Sequence, residues 1–193
     1  MDKQPFTGKK NPKLLVFDCD WTLYPYDCDK HRQAPFQLGV NGLQDVHGFL
    51  SHPYPCVPDI FGCIKEAGIP VAFLSRNPSS KSLENLLRTI PVHSSSGNFT
   101  LWDTMPSENY FHAYSSDGVG TGKDKHFAAL KKVSEIDYED MIFFDDFWDN
   151  IEAAEDQGTV SVNVRNGGLT WKALYEGLAR WRQKIEGGAT EKE

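Results

Sequence analysis

A short apolar strand that runs directly into two aspartates constrains this 193-residue chain more than any other feature. Residues 14–17 read Leu-Leu-Val-Phe, and Asp18 and Asp20 follow at once. Four consecutive apolar residues are typical of a strand buried on both faces of a parallel sheet. Open α/β sheets bind ligands at the carboxyl ends of their strands, so both carboxylates are expected at such an edge. They repel each other unless a cation neutralises them, and Mg²⁺ with its oxygen ligands is the simplest choice.

Apolar runs alternate with helical patterns along most of the chain. The sequence predicts strands over 14–17, 69–74, 141–144 and 159–164, a short strand within 91–109, and helices over 58–67, 79–89, 124–133, 150–157 and 169–184. Alternating strands and helices predict a parallel sheet with helices on both faces. We therefore expect an α/β fold, a Rossmann-like three-layer sandwich, in a single domain over residues 13–185.

Residues 25–57 do not follow this alternation. They are rich in proline, glycine, histidine and aromatic residues, and Asn41-Gly42 is a hairpin signal. We expect a short flap beside the site and no large cap domain. The polar residues 1–12 and the glycine-rich, charged residues 186–193 are predicted to be flexible tails.

Composition and charge exclude several classes of protein. The net charge of −7 argues against binding to nucleic acid or to an anionic membrane surface. No stretch approaches the roughly 20 apolar residues that a membrane span needs. The four cysteines have no C-x-x-C spacing, which argues against a zinc site and favours reduced thiols in a cytoplasmic protein.

Polar residues end three of the apolar strands. Lys123 precedes the predicted helix over 124–133, and the carboxyl ends of parallel strands meet at one edge of a sheet. Acids there would hold a metal, the metal and the lysine would bind phosphate, and one carboxylate would attack phosphorus. The pattern therefore predicts metal-assisted phosphoryl transfer. The strand-end residues are Asp18, Asp20, Ser75, Arg76, Asp145 and Asp146.

In this order, the motifs resemble those of the haloacid dehalogenase (HAD) superfamily. Finer features are similar to its capless magnesium-dependent phosphatases, the acid phosphatase family, over residues 13–182. Each short motif is weak alone, but four in the right order are strong. The matching segments are Asp18-x-Asp20-x-Thr22-Leu23, Trp21-Thr-Leu-Tyr-Pro, Asp29-Lys-His31, Ser75-Arg76, Gly122-Lys-Asp-Lys-His126-Phe127 and Phe143-Phe-Asp-Asp.

The resemblance implies a HAD-like fold, Mg²⁺ as the cofactor and a role for each carboxylate. Asp18 would be the nucleophile that forms an aspartyl-phosphate, and a metal ligand. Asp20 would be the general acid and then the base, with its backbone carbonyl on the metal. Asp146 would be the third protein ligand, with Asp145 beside it at the metal site. A general acid needs a raised pKa, which we expect for Asp20.

The same resemblance places Ser75, Arg76 and Lys123 around the substrate. Ser75 would bind phosphoryl oxygens, Arg76 would lie at the substrate entrance, and Lys123 would balance charge on the nucleophile and phosphate. Ser75 could instead cap the next helix. Lys123 and Lys125 are two residues apart, so only one is expected to face the site, and its position before the helix favours Lys123. His31 and His126 are predicted to be hydrogen-bonded structural residues.

The predicted activity is hydrolysis of phosphate monoesters by a Mg²⁺-dependent phosphatase. Without a large cap the site is expected to be open, which suits a phosphotyrosine protein or a sugar phosphate, and the residues do not choose between them. Two alternatives are a phosphotransferase with an acceptor other than water and a non-catalytic binding module on the same fold. We expect no nucleic-acid or membrane partner, and a monomer rather than an oligomer.

Overall fold

The structure, a computed structural model, describes residues 4–7, 10–30, 33–114 and 123–190. The strands are β1 (Leu14–Phe17), β2 (Gln37–Gly39), β3 (Gly42–Gln44), β4 (Leu50–Ser51), β5 (Val71–Ser75), β6 (Pro91–Ser94), β7 (Gly97–Thr100), β8 (Phe111–Ala113), β9 (Met141–Asp145) and β10 (Val160–Asn163). The α-helices are α1 (Val57–Glu66), α2 (Ser80–Leu87), α3 (Asp124–Ser134), α4 (Trp148–Asp156) and α5 (Trp171–Thr190).

A parallel sheet in the order β10–β9–β1–β5–β8 forms the centre of the described chain. Every residue of β1 is buried, because helices cover both faces of the sheet. Alternate residues point to opposite faces, so Leu15 and Phe17 join one apolar cluster while Leu14 and Val16 join the other. The predicted α/β sandwich with a parallel sheet is confirmed.

The first cluster takes its helical residues from α1, α2 and α5, and the second takes them from α3 and α4. Helix boundaries differ from the predicted ones by a few residues, as frayed ends allow. The largest difference is in α5, which continues to Thr190 and so includes part of the predicted flexible tail over 186–193. Among the described residues, no helix, not even the 20-residue α5, is both long enough and apolar enough to cross a membrane.

The region over 91–109 contains more structure than the one predicted strand. Strands β6 and β7 form an antiparallel hairpin, and β8 follows as the edge strand of the main sheet. β8 has only three residues, Phe111, His112 and Ala113, all partly exposed. A strand this short has no apolar run, and its sequence therefore gave no periodic signal.

The flap is a small antiparallel sheet of β2, β3 and β4. Its first hairpin turns at Val40 and Asn41, between the paired residues Gly39 and Gly42, where the hairpin signal lies. Phe36 and Leu43 from this region are buried in the main apolar cluster. The flap therefore packs onto the core of the sheet.

The first described residues contact the rest of the chain, and the flexibility of the tail over residues 1–12 stays a prediction. Phe6 is buried, and Arg182 on α5 donates hydrogen bonds to the carbonyl oxygens of Pro5 and Lys10, both at 3.0 Å. One apolar side chain and one arginine from the other end of the chain anchor this segment. Its polar composition hides such an anchor, because the partner is about 170 residues away.

Gly62 allows α1 to pack closely on β6, which gives the first testable prediction. A Cβ added at Gly62 would lie 1.8 Å from the carbonyl oxygen of His93. We expect Gly62→Ala to lower the free energy of unfolding by about 1–3 kcal/mol, because overpacking outweighs the better helix propensity of alanine. Urea unfolding followed by circular dichroism measures this change.

Gly187 in α5 provides a matched control, because a Cβ there would meet nothing within 4 Å. We expect Gly187→Ala to be neutral or to stabilise the protein by up to about 1 kcal/mol. Equal stability of the two variants would contradict the close approach at Gly62.

Candidate active site

Lys123 lies at the centre of the site, although its side chain is only 1% exposed. It is the residue just before α3, and its Nζ donates a hydrogen bond to Asp18 Oδ1. The same Nζ donates to Asp145 Oδ2 at 2.7 Å and to the carbonyl oxygen of Leu74 at 2.6 Å. All three donors of the ammonium group are therefore used, and they join the ends of β1, β5 and β9.

Asp145, the last residue of β9, is fully buried and held on both oxygens. Its Oδ1 accepts from the backbone N–H of Phe147 at 2.8 Å and from Asn150 Nδ2 at 3.0 Å. Its Oδ2 accepts from Lys123 and from Asn150 Nδ2 at 2.9 Å. The structure therefore engages this carboxylate in fixing Lys123 and the start of α4.

Asp18 and Lys123 form a buried ion pair, and burial and the neighbouring charges have opposing effects on the pKa of each. Burial raises the pKa of Asp18 well above its usual value, and the charges of Asp145 and Asp146 raise it further, against the opposing charge of Lys123. Burial acts to lower the pKa of Lys123, but the charges of Asp145 and Asp18 outweigh burial and raise it. Lys123 is thus charged, and one lysine does not neutralise all the acids around it.

Three carboxylates converge at this point, which tests whether a metal ion fits. Ligand oxygens of Asp18, Asp145 and Asp146 lie within 4.8 Å of one another. Burial and the charge of Asp145 raise the pKa of Asp146 to about 6, although Lys123 opposes the shift. Excess negative charge on hard oxygen ligands is the environment that Mg²⁺ fits, and such an ion would favour the ionised forms of Asp18 and Asp146.

Asp20 faces the same cleft but is held by different partners. Its Oδ1 accepts from the backbone N–H of Cys28 at 3.0 Å, and its Oδ2 accepts from Asn77 Nδ2 at 2.7 Å. Burial raises the pKa of Asp20, and the charge of Asp27 adds to this, while hydrogen bonds from Asn77 and from the Cys28 N–H oppose it. The direction is the one expected for a carboxylic acid that donates a proton.

Ser75 ends β5 and is buried, with its carbonyl oxygen bound by the Nε2 of His126 at 2.9 Å. Nε2 also lies 3.1 Å from the carbonyl oxygen of Tyr114, whose ring stacks on the imidazole with centroids 4.1 Å apart. Burial and the nearby charge of Lys123 lower the pKa of His126 to about 4, so this histidine is neutral and donates from Nε2. His126 is therefore a structural support for β5, as predicted.

A cleft of about 490 Å³ opens over these groups. Trp21 and Phe147 line it and remain exposed, and the guanidinium carbon of Arg76 lies 5.0 Å from the centroid of the Phe147 ring. Trp21 has a φ of +61°, an unusual conformation for a bulky residue and one that often marks a functional position. The cleft lining comprises Asp18, Asp20, Trp21, Asp27, Asp29, Lys30, Ser75, Arg76, Asn77, Pro78, Asp146, Phe147 and Asn150.

The structure brings the predicted site residues together at one edge of the sheet. Lys123 and Asp145 lie beneath the cleft, whereas Lys125 is exposed. His31 and Gly122 lie outside the described residues. The roles of the assembled residues remain predictions, because their positions alone do not test them.

Sequence reasoning missed the supporting side chains of the site. Asn77 donates to Asp20 and Asn150 donates to Asp145. Asp27 and Asp29 bring their oxygens within 4.8 Å of one another and of Asp20. The available signal was weak: Asn77 follows Ser75 by two residues in a loop after a core strand, where functional residues concentrate.

Comparison with known proteins adds evidence from relatives. The family model described as Acid Phosphatase matches residues 10–184. Magnesium-dependent phosphatase 1 of Homo sapiens is 31% identical over 169 residues, which cover 86% of this chain and 85% of that protein.

Two solved structures are similar in fold. A HAD family enzyme of Bacteroides thetaiotaomicron, in complex with magnesium and inorganic phosphate, has a TM-score of 0.56 at 14% identity, over 85% of this chain and 99% of that one. The N-terminal part of a Bacteroides fragilis protein, containing a phosphatase domain complexed with Mg, has a TM-score of 0.55 at 18% identity. The match covers 88% of this chain and 41% of that longer chain.

Proposed function

This chain belongs to the acid phosphatase family and has a HAD-like fold, and we propose that it is a magnesium-dependent phosphatase acting through an aspartyl-phosphate. The observation that carries the proposal is the convergence of Asp18, Asp145 and Asp146 around the buried Lys123. A binding module has no need for a carboxylate desolvated beside a fixed cation, a costly arrangement that suits a nucleophile.

The metal would be held by the side chains of Asp18 and Asp146 and by the backbone carbonyl of Asp20. When bound, Mg²⁺ would offset the negative charge on the carboxylates and on the transferring phosphoryl group. We assign Asp145, predicted earlier among the metal residues, to holding Lys123, because both of its oxygens already accept hydrogen bonds. This assignment keeps Asp145 beside the metal without requiring it as a ligand.

In the proposed reaction, Asp18 attacks phosphorus and Asp20 gives its proton to the leaving oxygen. Lys123 and the Ser75 hydroxyl stabilise the negative charge of the phosphoryl group, and Arg76 contacts the substrate at the mouth of the cleft. Asp20, now ionised, takes a proton from water as that water attacks the aspartyl-phosphate. Inorganic phosphate and free Asp18 are the products.

The substrate is proposed to be a phosphotyrosine protein or a sugar phosphate. The exposed rings of Trp21 and Phe147 line the cleft and suit stacking on a flat face of either substrate. Comparison of kcat/KM for phosphotyrosine peptides and for a panel of sugar phosphates distinguishes them. Product analysis with added alcohols distinguishes hydrolysis from transfer, since a phosphotransferase gives new phosphate esters in place of inorganic phosphate.

We further propose that the protein is a monomer in the cytoplasm. None of the four cysteines, Cys19, Cys28, Cys56 and Cys63, forms a disulfide, which suits a reducing compartment. Size-exclusion chromatography with light scattering tests the oligomeric state.

Metal dependence is the second testable prediction. We expect hydrolysis of a chromogenic phosphate ester in the presence of Mg²⁺, loss of activity with chelator, and recovery when Mg²⁺ is added in excess. Because a ligand that binds only the folded state stabilises it, Mg²⁺ is also expected to raise the melting temperature of the wild type. It should do so less in Asp146→Asn, which lacks one ligand charge. Full activity in excess chelator would contradict the metal site.

A further inference from the structure

We propose that Asn77 is a positioning residue that holds Asp20 in the orientation needed for proton transfer. The inference rests on the proposed function, since it concerns the proton that Asp20 gives to the leaving oxygen. Asn77 lies in the loop between β5 and α2, and its side chain reaches back to the segment that follows β1. Nothing in the assigned mechanism uses this residue.

The side-chain amide of Asn77 makes three hydrogen bonds and is mostly buried. Nδ2 donates to Asp20 Oδ2 at 2.7 Å and to Asp29 Oδ1 at 3.1 Å, while Oδ1 accepts from the backbone N–H of Ser79 at 2.8 Å. Both amide protons point to acceptors, and the amide oxygen points to a donor. This environment defines the orientation of the amide, since the flipped form would face oxygen with oxygen.

The backbone of Asn77 also acts on the phosphate-binding side of the site. Its N–H donates to Ser75 Oγ at 3.1 Å, so the serine hydroxyl already accepts one hydrogen bond. The hydroxyl proton of Ser75 is then available as a donor toward a phosphoryl oxygen. One residue thus contacts both the acid and the phosphate-binding serine of the proposed mechanism.

Asn77 holds one of the two carboxylate oxygens of Asp20. Oδ1 is held by the Cys28 N–H, and Oδ2 is held by Asn77. Each carboxylate oxygen has two lone pairs, so these bonds leave room for the proton that Asp20 transfers. Without the amide, the carboxyl group can rotate about its last torsion, and a small misplacement of a reacting group is costly.

The alternative role of Asn77 is only to stabilise the turn before α2. That role needs only the acceptor that binds the Ser79 N–H, and an aspartate provides it equally well. Asn77→Asp therefore separates the two roles. It keeps the acceptor for Ser79, but it replaces two N–H donors with a charge that repels Asp20 and Asp29.

The test, which is the third prediction, compares a good and a poor leaving group. A general acid matters for phenyl phosphate, whose leaving group needs a proton, and much less for 2,4-dinitrophenyl phosphate. We expect Asn77→Asp and Asn77→Ala to lower kcat/KM for phenyl phosphate by about 10²-fold, and for the dinitrophenyl ester by about threefold or less. Any general loss of substrate affinity affects both esters and cancels in their ratio.

Asn85→Ala is the matched control, because Asn85 accepts from the backbone N–H of Phe36 and is not among the described residues that line the cleft. We expect this variant to lower the melting temperature without changing the ratio of the two esters. Melting curves for Asn77→Asp and Asn77→Ala show which is folded at the assay temperature, and either variant suffices for the comparison.

The Asp20→Asn background shows whether Asn77 acts through Asp20. Asp20→Asn alone is expected to lose about 10²-fold on phenyl phosphate, and adding Asn77→Ala should cost about threefold or less, because coupled residues are not additive. Equal losses on both esters, or a full loss again in the Asp20→Asn background, would overturn the role of Asn77. Failure of the proposed function looks different, since Asp20→Asn itself would then show no dependence on the leaving group.

Discussion

Replacement of Asp18 by asparagine is expected to reduce phosphatase activity to background, a loss of roughly 10⁴-fold or more, as for other catalytic nucleophiles. The asparagine has nearly the same shape and keeps an oxygen that can accept from Lys123. Its carboxamide, however, is not nucleophilic enough to attack phosphorus and form an acyl phosphate. The expected loss therefore reports on the chemistry of the side chain rather than on its packing.

The covalent intermediate gives a direct measurement of this role. In acid-quenched reactions with a ³²P-labelled ester, the wild type is expected to carry label and Asp18→Asn is expected to carry none. Beryllofluoride, which mimics a phosphoryl group on aspartate, is expected to raise the melting temperature of the wild type in Mg²⁺ but not that of the variant.

Asp140→Asn is the control for this experiment. Asp140 pairs with Lys13 at 2.7 Å on the surface, and exposed pairs of this kind contribute little. We expect Asp140→Asn to keep its activity and its label. An Asp18→Asn protein with near wild-type turnover would refute the assignment of the nucleophile, whatever the metal dependence shows.

The sequence was sufficient to predict those strands and helices whose residues form a continuous pattern along the chain. β1 is a run of four apolar residues, and its burial on both faces follows from that run alone. The acids that follow β1 and β9 had to meet, because neighbouring parallel strands in one sheet end at the same edge. Fold class and the carboxylate cluster were therefore predictable.

The supporting contacts were not predictable, because each joins residues far apart in the chain. Asn77 and Asp20 are 57 residues apart, and the contact exists only because β5 lies beside β1 in parallel register. Lys123 also binds the carbonyl oxygen of Leu74, a backbone group with no sequence signature. The anchors at Phe6 and Arg182 failed to appear in the sequence for the same reason.

The choice between the two lysines was made from helix geometry and leads to the last prediction. A residue just before a helix can turn toward the sheet edge, whereas Lys125 is two residues further round a helix of 3.6 residues per turn. In the structure Lys123 is buried against Asp18 and Asp145, and Lys125 is exposed. This arrangement agrees with the expected orientation and leaves the catalytic role to be tested.

We expect Lys123→Ala to lose about 10²-fold in turnover, because the fixed positive charge beside Asp18 and the transferring phosphoryl group is removed; the loss is about as large as that of one oxyanion-hole donor, ~3 kcal/mol. The variant is also expected to have a lower melting temperature, because Asp145 remains buried without its cation. Assays therefore belong well below that temperature, with circular dichroism to show that the protein is folded.

Lys125→Ala is the matched control, two residues away on the same helix and with the same charge change. Because Lys125 is exposed, its replacement is expected to leave turnover and stability nearly unchanged. Each variant loses one positive charge, so the long-range electrostatic effect is the same in both. Only the difference in their turnover reports on the buried contacts of Lys123. If Lys125→Ala were the crippled enzyme and Lys123→Ala nearly normal, the contacts of Lys123 with Asp18 and Asp145 would not be the catalytic ones. That result would not contradict the fold or the carboxylate cluster. The positive charge that balances the phosphoryl group would then have to come from another residue, such as Arg76 in the lining of the cleft.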